Sequence, residues 1–266
     1  MGCQGLLPLS HIKKPPVIVV SIPPYVSLVQ AIAGDDVIVK SAIQSDFDPH
    51  TMEVTPNQRR LIQQADLFVA VGEFFENKLL STLRKDRREL PILRLNEMPS
   101  ELLSEGAQNI HFWLSLKYLS VQAKMVAERL SQIYPSQKSS YDSRANCYLR
   151  KIEELDKHIQ LILTPFRGKA LLVPHAALYY FCSDYHLIQI AVESEGKNLG
   201  LKDVLRLLDV AKHSNVVCAL TFPQFNNKGV ELIANEINLS PVSFNPLGEN
   251  PLESIEKLVQ SIVDHG

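Results

Sequence analysis

Residues 137–163 read QKSSYDSRANCYLRKIEELDKHIQLIL, and their pattern is the most informative guide to the architecture of the chain. Its apolar side chains recur every three or four residues, as they do on one face of an α-helix. They are Tyr141, Ala145, Tyr148, Ile152, Leu155, Ile159 and Ile162. Thr164-Pro165 and Gly168 follow, and these residue types end helices. The pattern therefore predicts one long helix over this range.

On both sides of this helix, short apolar runs alternate with helix-like segments. The strand candidates are residues 17–20, 37–43, 67–71 and 92–95 before it, and 170–173, 187–192, 216–220 and 242–244 after it. Strands that are apolar on both faces are typical of a parallel sheet covered by helices on both sides. No convincing strand lies between about 113 and 166. The sequence thus predicts the α/β class, with two small parallel-sheet lobes bridged by one long α-helix and a ligand cleft between the lobes.

The predicted organisation has four parts: a leader or linker (1–16), an N-terminal α/β lobe (17–135), the bridging helix (136–166) and a C-terminal α/β lobe (167–266). The remaining helices are predicted at 25–33, 55–65, 74–84, 113–134, 176–184, 200–212, 227–238 and 251–263. A single continuous doubly wound sheet is the rival architecture. The strand-free middle of the chain argues against it.

Composition narrows the classes of partner. The chain has 266 residues, enough for one large domain or two modest ones. Lys and Arg number 27 and Asp and Glu 29, a formal charge of −2. Since nucleic-acid-binding proteins usually carry a basic excess, we expect no nucleic-acid partner. No apolar run approaches the roughly 18 residues of a membrane-spanning helix.

The cysteines carry little information on their own. They are Cys3, Cys147, Cys182 and Cys218, and no two form a C-x-x-C pair. This spacing excludes a zinc knuckle and a thioredoxin motif. A disulfide between Cys182 and Cys218 stays open.

Three of the eight histidines share a position in the predicted fold. His50 and His175 follow predicted strands, and His111 lies in a loop that leads into a helix. Ligands of open α/β sheets bind at this edge. If the two lobes face each other, the three imidazoles converge on one cleft, and three imidazoles are a typical zinc ligand set. Loop histidines so far apart in sequence are also common without a function, so both interpretations remain open at this point.

Several short motifs occur in an order that adds to this argument. The first lobe carries Ser21-Ile22-Pro23-Pro24, Ala33-Gly34-Asp35, Asp48-Pro49-His50, Thr55-Pro56-Asn57-Gln58, Ala65-Asp66-Leu67, Gly72-Glu73 with Glu76, and His111-Phe112-Trp113-Leu114. The second carries His175-Ala176-Ala177-Leu178-Tyr179-Tyr180, Tyr185-His186-Leu187, Pro223-Gln224-Phe225 and Asn245-Pro246-Leu247-Gly248. Over residues 17–264, the order and spacing of these motifs resemble the zinc- or manganese-binding solute receptors of ABC transporters.

The resemblance implies a fold and a ligand set. It implies two α/β lobes bridged by a long helix, with the metal between the lobes. By position, His50 and His111 are ligands from the first lobe and His175 is the ligand from the second. The family usually has an aspartate where this chain has Asn245, so an amide oxygen or a water is expected to complete the site. A second departure is Phe222, at a position where glutamate is common.

These departures bear on the metal. Three neutral histidines and Asn245 leave the charge near +2, because an amide does not neutralise a dication. Four acidic residues near His50 in the sequence could supply negative charge outside the set of direct ligands: Asp48, Glu53, Glu73 and Glu76. Since manganese sites of the family tend to carry two carboxylates, we expect Zn²⁺, with Mn²⁺ as the alternative. Residues 96–110 hold no histidine, so the histidine-rich loop of some zinc members is missing.

The resemblance implies a function without catalytic residues. The protein is expected to capture a divalent metal ion in the periplasm, or at the outer face of the inner membrane, and to deliver it as a monomer to an ABC-transporter permease. Cys3 is either the acylated residue of a lipid anchor or an incidental cysteine. The alternatives are a zinc-dependent hydrolase-like enzyme with a three-histidine site, and a receptor whose metal site has decayed.

Overall fold

Two four-stranded parallel sheets form the framework of the described residues. The computed structural model describes residues 14–83, 90–99, 109–192 and 201–266. The first sheet has the order β2-β1-β3-β4 and the second the order β6-β5-β7-β8. Their strands are β1 (Val17–Val20), β2 (Ile38–Ser41), β3 (Leu67–Ala70), β4 (Ile92–Arg94), β5 (Ala170–Val173), β6 (Ile188–Ala191), β7 (Val216–Thr221) and β8 (Val242–Ser243). The predicted two-lobe α/β class is confirmed, and a single continuous sheet is excluded.

The helices lie close to their predicted positions. They are α1 (Tyr25–Ala33), α2 (Pro56–Gln63), α3 (Phe74–Leu83), α4 (Leu116–Ile133), α5 (Lys138–Ile162), α6 (Tyr179–Asp184), α7 (Leu201–His213), α8 (Lys228–Glu236) and α9 (Pro251–His265). Local sequence fixes several ends. Helix α2 begins with a capping box, in which the Thr55 side chain accepts from the Gln58 amide and the Gln58 side chain accepts from the Thr55 amide. Helix α1 ends at Gly34, whose φ of +81° suits glycine.

The long helix α5 contacts both lobes. Its 25 residues bury the predicted apolar stripe, including Tyr141, Ile152 and Ile159. It packs against α1 and α4 of the first lobe and against α9 of the second. The Arg144 guanidinium donates to the Ile32 carbonyl oxygen at 2.7 Å, and the Tyr185 hydroxyl donates to Asp156 on α5 at 2.8 Å. No strand lies in residues 109–169, which the structure describes in full. The boundaries 17–135, 136–166 and 167–266 stay predictions.

One helix starts later than its sequence pattern indicates. A helix was expected from residue 176, but α6 begins at Tyr179. The intervening amides bond elsewhere: the Ala177 amide donates to the His175 carbonyl at 2.7 Å, and the Leu178 amide donates to the Gln189 side chain at 2.7 Å. This non-helical turn holds His175 at the carboxyl end of β5.

Cys182 and Cys218, whose pairing the sequence left open, are both buried and free. Cys3 lies outside the described residues. Among the described helices, none combines the length and the apolar character that a membrane span requires.

Candidate metal centre

Three imidazole rings meet between the two lobes. A potential ligand nitrogen from each of His50, His111 and His175 lies within 4.8 Å of the other two. The ring centroids are 5.3 Å apart for His50 and His111, 4.8 Å for His50 and His175, and 5.0 Å for His111 and His175. Zinc–nitrogen bonds of about 2.0–2.1 Å in a tetrahedral site put ligand nitrogens about 3.4 Å apart. A modest inward shift of the rings therefore allows them to hold one ion.

His50 is positioned by a tight turn after β2. The His50 amide donates to one Asp48 carboxylate oxygen at 3.0 Å, and the Thr51 hydroxyl donates to the other at 2.7 Å. On its ring, Nδ1 lies 3.1 Å from Oε2 of Glu73. The side chain is 27% exposed. Since Nδ1 faces the carboxylate, Nε2 is the nitrogen left to bind an ion.

His111 is held by an asparagine two residues earlier. Oδ1 of Asn109 accepts from the His111 amide and lies 2.9 Å from Nδ1 of the ring. An amide oxygen only accepts, so Nδ1 carries the proton and Nε2 carries a lone pair. Asn109 also joins the second lobe: its Nδ2 donates to the Ala176 carbonyl at 2.7 Å, and its own carbonyl accepts from the Tyr180 hydroxyl at 2.7 Å. One residue thus orients His111 and fixes the segment that follows His175.

His175 faces the cleft from the second lobe. Its ring stacks on Phe225 with centroids 4.6 Å apart and an angle of 7° between the planes. Nε2 of His175 is buried, and it has no hydrogen-bond partner within the described ranges. A buried nitrogen without a partner costs free energy, because the water it lost is not replaced. An ion bound at this nitrogen removes that cost.

Burial keeps two of these imidazoles neutral. Desolvation, followed by the charges of His175 and His50, lowers the pKa of His111 well below its ordinary value of 6.5. Desolvation and the charge of His50 lower the pKa of His175 to about 4, and the charge of Asp48 opposes this shift. Metals bind the neutral form of histidine. Both rings are therefore in their metal-binding form at neutral pH, before any ion arrives.

The lowered pKa of His175 predicts how the metal-free protein responds to acid. An unfolded histidine has a pKa near 6.5, so between pH 6.5 and about 4 the unfolded chain binds more protons than the folded one. The free energy of unfolding therefore falls as the pH falls through this window, by about 3 kcal/mol for His175. Urea unfolding of stripped protein at pH 7 and pH 4.5 measures this. His175→Ala should show a smaller loss, and an equal loss in both proteins would contradict the assignment.

Asn245 is linked to the three-ring cluster through Gln224. Its Oδ1 accepts from Nε2 of Gln224 at 2.7 Å and from the Leu247 amide at 2.9 Å. Gln224 directly precedes Phe225, whose ring stacks on His175, and it also donates to the Ser45 carbonyl of the first lobe. The amide oxygen of Asn245 thus already accepts two hydrogen bonds. Its role as fourth ligand stays a prediction.

Trp113 links the residue that follows Asn245 to His111. Nε1 of Trp113 donates to the carbonyl of Pro246, the residue after Asn245, at 2.7 Å. The Trp113 ring lies 5.1 Å from that of His111. Phe222, the second departure from the family pattern, is fully buried against Phe225 and Phe244. An apolar side chain there adds packing and no charge.

The acidic residues that the sequence could not place now have distinct positions. Glu73 is fully buried beside His50. Glu76 is buried and accepts from the Val71 and Gly72 amides at 2.9 and 3.0 Å. Burial raises the pKa of Glu76, while its hydrogen bonds lower it. Glu53 is exposed and pairs with Lys78. Of these three glutamates, Glu73 lies in short contact with one of the three rings.

The sequence did not reveal the role of Asn109, and it named Glu73 only as one of four acids that could supply negative charge outside the set of direct ligands. Their contacts depend on how segments of the chain pack. Asn109 stands two residues before His111, but this spacing alone does not show that its side chain folds back onto the ring.

Two α/β lobes on a long helix, with three imidazoles converging between them, define a metal-binding solute receptor. Residues 18–264 match the family model described as the periplasmic component A of the zinc-uptake complex, ZnuA. The chain belongs to this family, which consists of solute-binding proteins rather than enzymes. The resemblance inferred from the motifs is confirmed.

Individual relatives and structures agree with this assignment. A Chlamydia muridarum protein, provisionally described as metal-binding, is 28% identical over 93% of this chain and 90% of its own length. The zinc-binding lipoprotein AdcA of Streptococcus pneumoniae R6 is 26% identical over 92% of this chain and 54% of its own length. A crystal structure of ZnuA has a TM-score of 0.86 at 28% identity, covering 95% of this chain and 99% of that one.

Proposed function

We propose that this protein is an extracytoplasmic receptor that binds one zinc ion through His50, His111 and His175 and delivers it to an ABC-transporter permease. The observation that carries the proposal is the convergence of three imidazoles from two lobes within 4.8 Å. Two of them have Nδ1 beside an acceptor, and the third has a buried, unpaired Nε2. Each ring therefore has a nitrogen available for an ion between the lobes.

The donor set favours zinc over manganese. Imidazole nitrogens suit zinc, whereas manganese prefers carboxylate, carbonyl and water oxygens. The three closest candidate ligands are all nitrogens, and Asn245 offers a neutral oxygen at most. The name of the AdcA relative, a zinc-binding lipoprotein, supports the same choice. Mn²⁺ remains the alternative cargo and is expected to bind more weakly.

The fourth position belongs either to Asn245 or to a water. To coordinate the ion, Oδ1 of Asn245 must give up a hydrogen bond from Gln224 or Leu247. A water beside Asn245 needs no such loss, so we favour the water. This arrangement leaves the ion one exchangeable ligand, which suits a receptor that must release its cargo.

The structure bears on the alternative of a decayed site. Decay removes the need to keep ligands in place, yet the histidines are held by the Asp48 turn, by Asn109 and by Phe225. The ordered rings therefore favour a working receptor. A hydrolase-like enzyme has no support from the family, whose members bind solutes. Delivery to a permease, action as a monomer and a lipid anchor at Cys3 are parts of the proposal that follow from the family resemblance.

A metal titration tests the proposal. Metal-stripped protein is titrated with Zn²⁺ and with Mn²⁺ at pH 7 by calorimetry, and the metal content is measured after gel filtration. We expect one zinc per chain with micromolar or tighter affinity, and weaker binding of manganese. Absence of stoichiometric zinc would reject the receptor, and tighter binding of manganese would reject the choice of metal.

A further inference from the structure

Glu73 is a buried carboxylate with an unusual lack of partners. Its side chain is fully buried, and Oε2 lies 3.1 Å from Nδ1 of His50. Beyond this contact, neither carboxylate oxygen has a hydrogen-bond partner in the part of the chain that the structure describes. Burying a carboxylate without compensation is costly, so such groups are normally paired or hydrogen-bonded. The contact with His50 is therefore the interaction that compensates the buried carboxylate of Glu73.

The neighbouring acid shows that this is not a general feature of the turn. Glu76, three residues later, is equally buried, but two backbone amides satisfy its oxygens. Glu76 therefore holds the turn between β3 and α3. Glu73 directly precedes α3, where the helix dipole favours an anion, and its carboxylate is directed to the histidine instead.

The three proposed ligands also differ in the group that contacts each imidazole ring. Nδ1 of His111 faces the neutral amide of Asn109, and the ring of His175 stacks on Phe225. Nδ1 of His50, by contrast, lies 3.1 Å from a carboxylate oxygen of Glu73. The chain also has Asn245 where an anionic ligand is expected, so the ligand set itself carries no negative charge.

We infer that Glu73 is a positioning residue that fixes Nδ1–H of His50, aims Nε2 at the ion and supplies negative charge that the ligands lack. This inference rests on the proposed function. A carboxylate behind a metal-bound histidine fixes the tautomer and makes the ring a better donor. The Glu73 carboxylate contacts the His50 ring and does not bind the ion itself. The ligands therefore remain imidazole nitrogens, which prefer zinc.

Two substitutions separate the orienting role from the charge. Glu73→Gln keeps an oxygen that can accept Nδ1–H but removes the charge. Glu73→Ala removes both. We expect zinc affinity to fall on the order of 10-fold in Glu73→Gln and up to about 100-fold in Glu73→Ala, the range typical of outer partners of metal ligands. Glu53→Gln, which removes the same charge from an exposed pair with Lys78, is the control and should bind zinc as the wild type does.

A second readout does not depend on the metal. In the stripped protein, ¹⁵N NMR of the imidazole should show His50 as the Nδ1–H tautomer in the wild type and in Glu73→Gln, and a mixture in Glu73→Ala. Unchanged zinc affinity and tautomer in both variants would overturn the inference. If Glu73→Ala does not fold, Glu73→Gln still decides, since wild-type affinity there refutes the charge role. Failure of the wild type to bind zinc would instead reject the proposed function.

Discussion

Replacing His111 with alanine is expected to abolish tight zinc binding, with a loss of affinity on the order of 100-fold or more, beyond the range for outer partners. His111 is 6% exposed, and its Nε2 is aimed at the cluster because Nδ1 is held by Asn109. Removing it leaves only His50 from the first lobe and His175 from the second as imidazole ligands. The ion would then be bound by one histidine from each lobe. Competition with a chromophoric zinc chelator at pH 7 measures the loss.

The control for this substitution is an exposed histidine on the long helix. His158→Ala removes the same side chain from the surface of α5, and it should bind zinc with wild-type affinity. Circular dichroism shows whether each variant is folded. If folded His111→Ala binds one zinc as tightly as His158→Ala does, His111 is not a ligand and the proposed site is wrong.

Restoring a carboxylate at position 245 is expected to act in the opposite direction. Asn245→Asp places an anion at the proposed position of the fourth ligand, where Gln224 and Leu247 already donate to the side-chain oxygen. Both donors remain compatible with a carboxylate, so the local fold should persist. At an effective dielectric constant of about 20, opposite unit charges about 4 Å apart attract by about 4 kcal/mol, and desolvation offsets part of this. We expect at least roughly tenfold tighter zinc binding and slower release.

The matched control adds the same charge elsewhere. Asn235→Asp lies on an exposed position of α8 and should leave zinc affinity unchanged. Stopped-flow transfer of zinc to a chelator measures release from both variants. Equal affinity and release in Asn245→Asp and Asn235→Asp would show that position 245 is too far from the ion to act on it.

The sequence predicted most of the framework because its signals are local. The apolar stripe from Tyr141 to Ile162 specifies α5, Gly34 ends α1, and Thr55 with Gln58 begins α2. The delayed start of α6 could not be predicted in the same way. It depends on the side chain of Gln189, which lies on a neighbouring strand and captures the Leu178 amide. Contacts of this kind form only after the sheet has formed.

In the site, too, the features set by local sequence were predictable and those set by tertiary contacts were not. The positions of His50, His111 and His175 after strands or before a helix were enough to bring them to one edge of the predicted fold. Their orientation was not predictable, because it depends on Asn109, Glu73 and Phe225. Glu73 and Phe225 reach the cluster from segments that are distant from the ring each one contacts. Spacing along the chain does not predict which oxygen or aromatic ring contacts each imidazole.

The binding of one zinc ion between the lobes by three histidines can be seen in a crystal of the protein grown with zinc and measured on both sides of the zinc absorption edge. We expect one anomalous peak per chain, about 2.0–2.1 Å from a ring nitrogen of each of His50, His111 and His175. A peak bound elsewhere, with these three rings left unliganded, would contradict it.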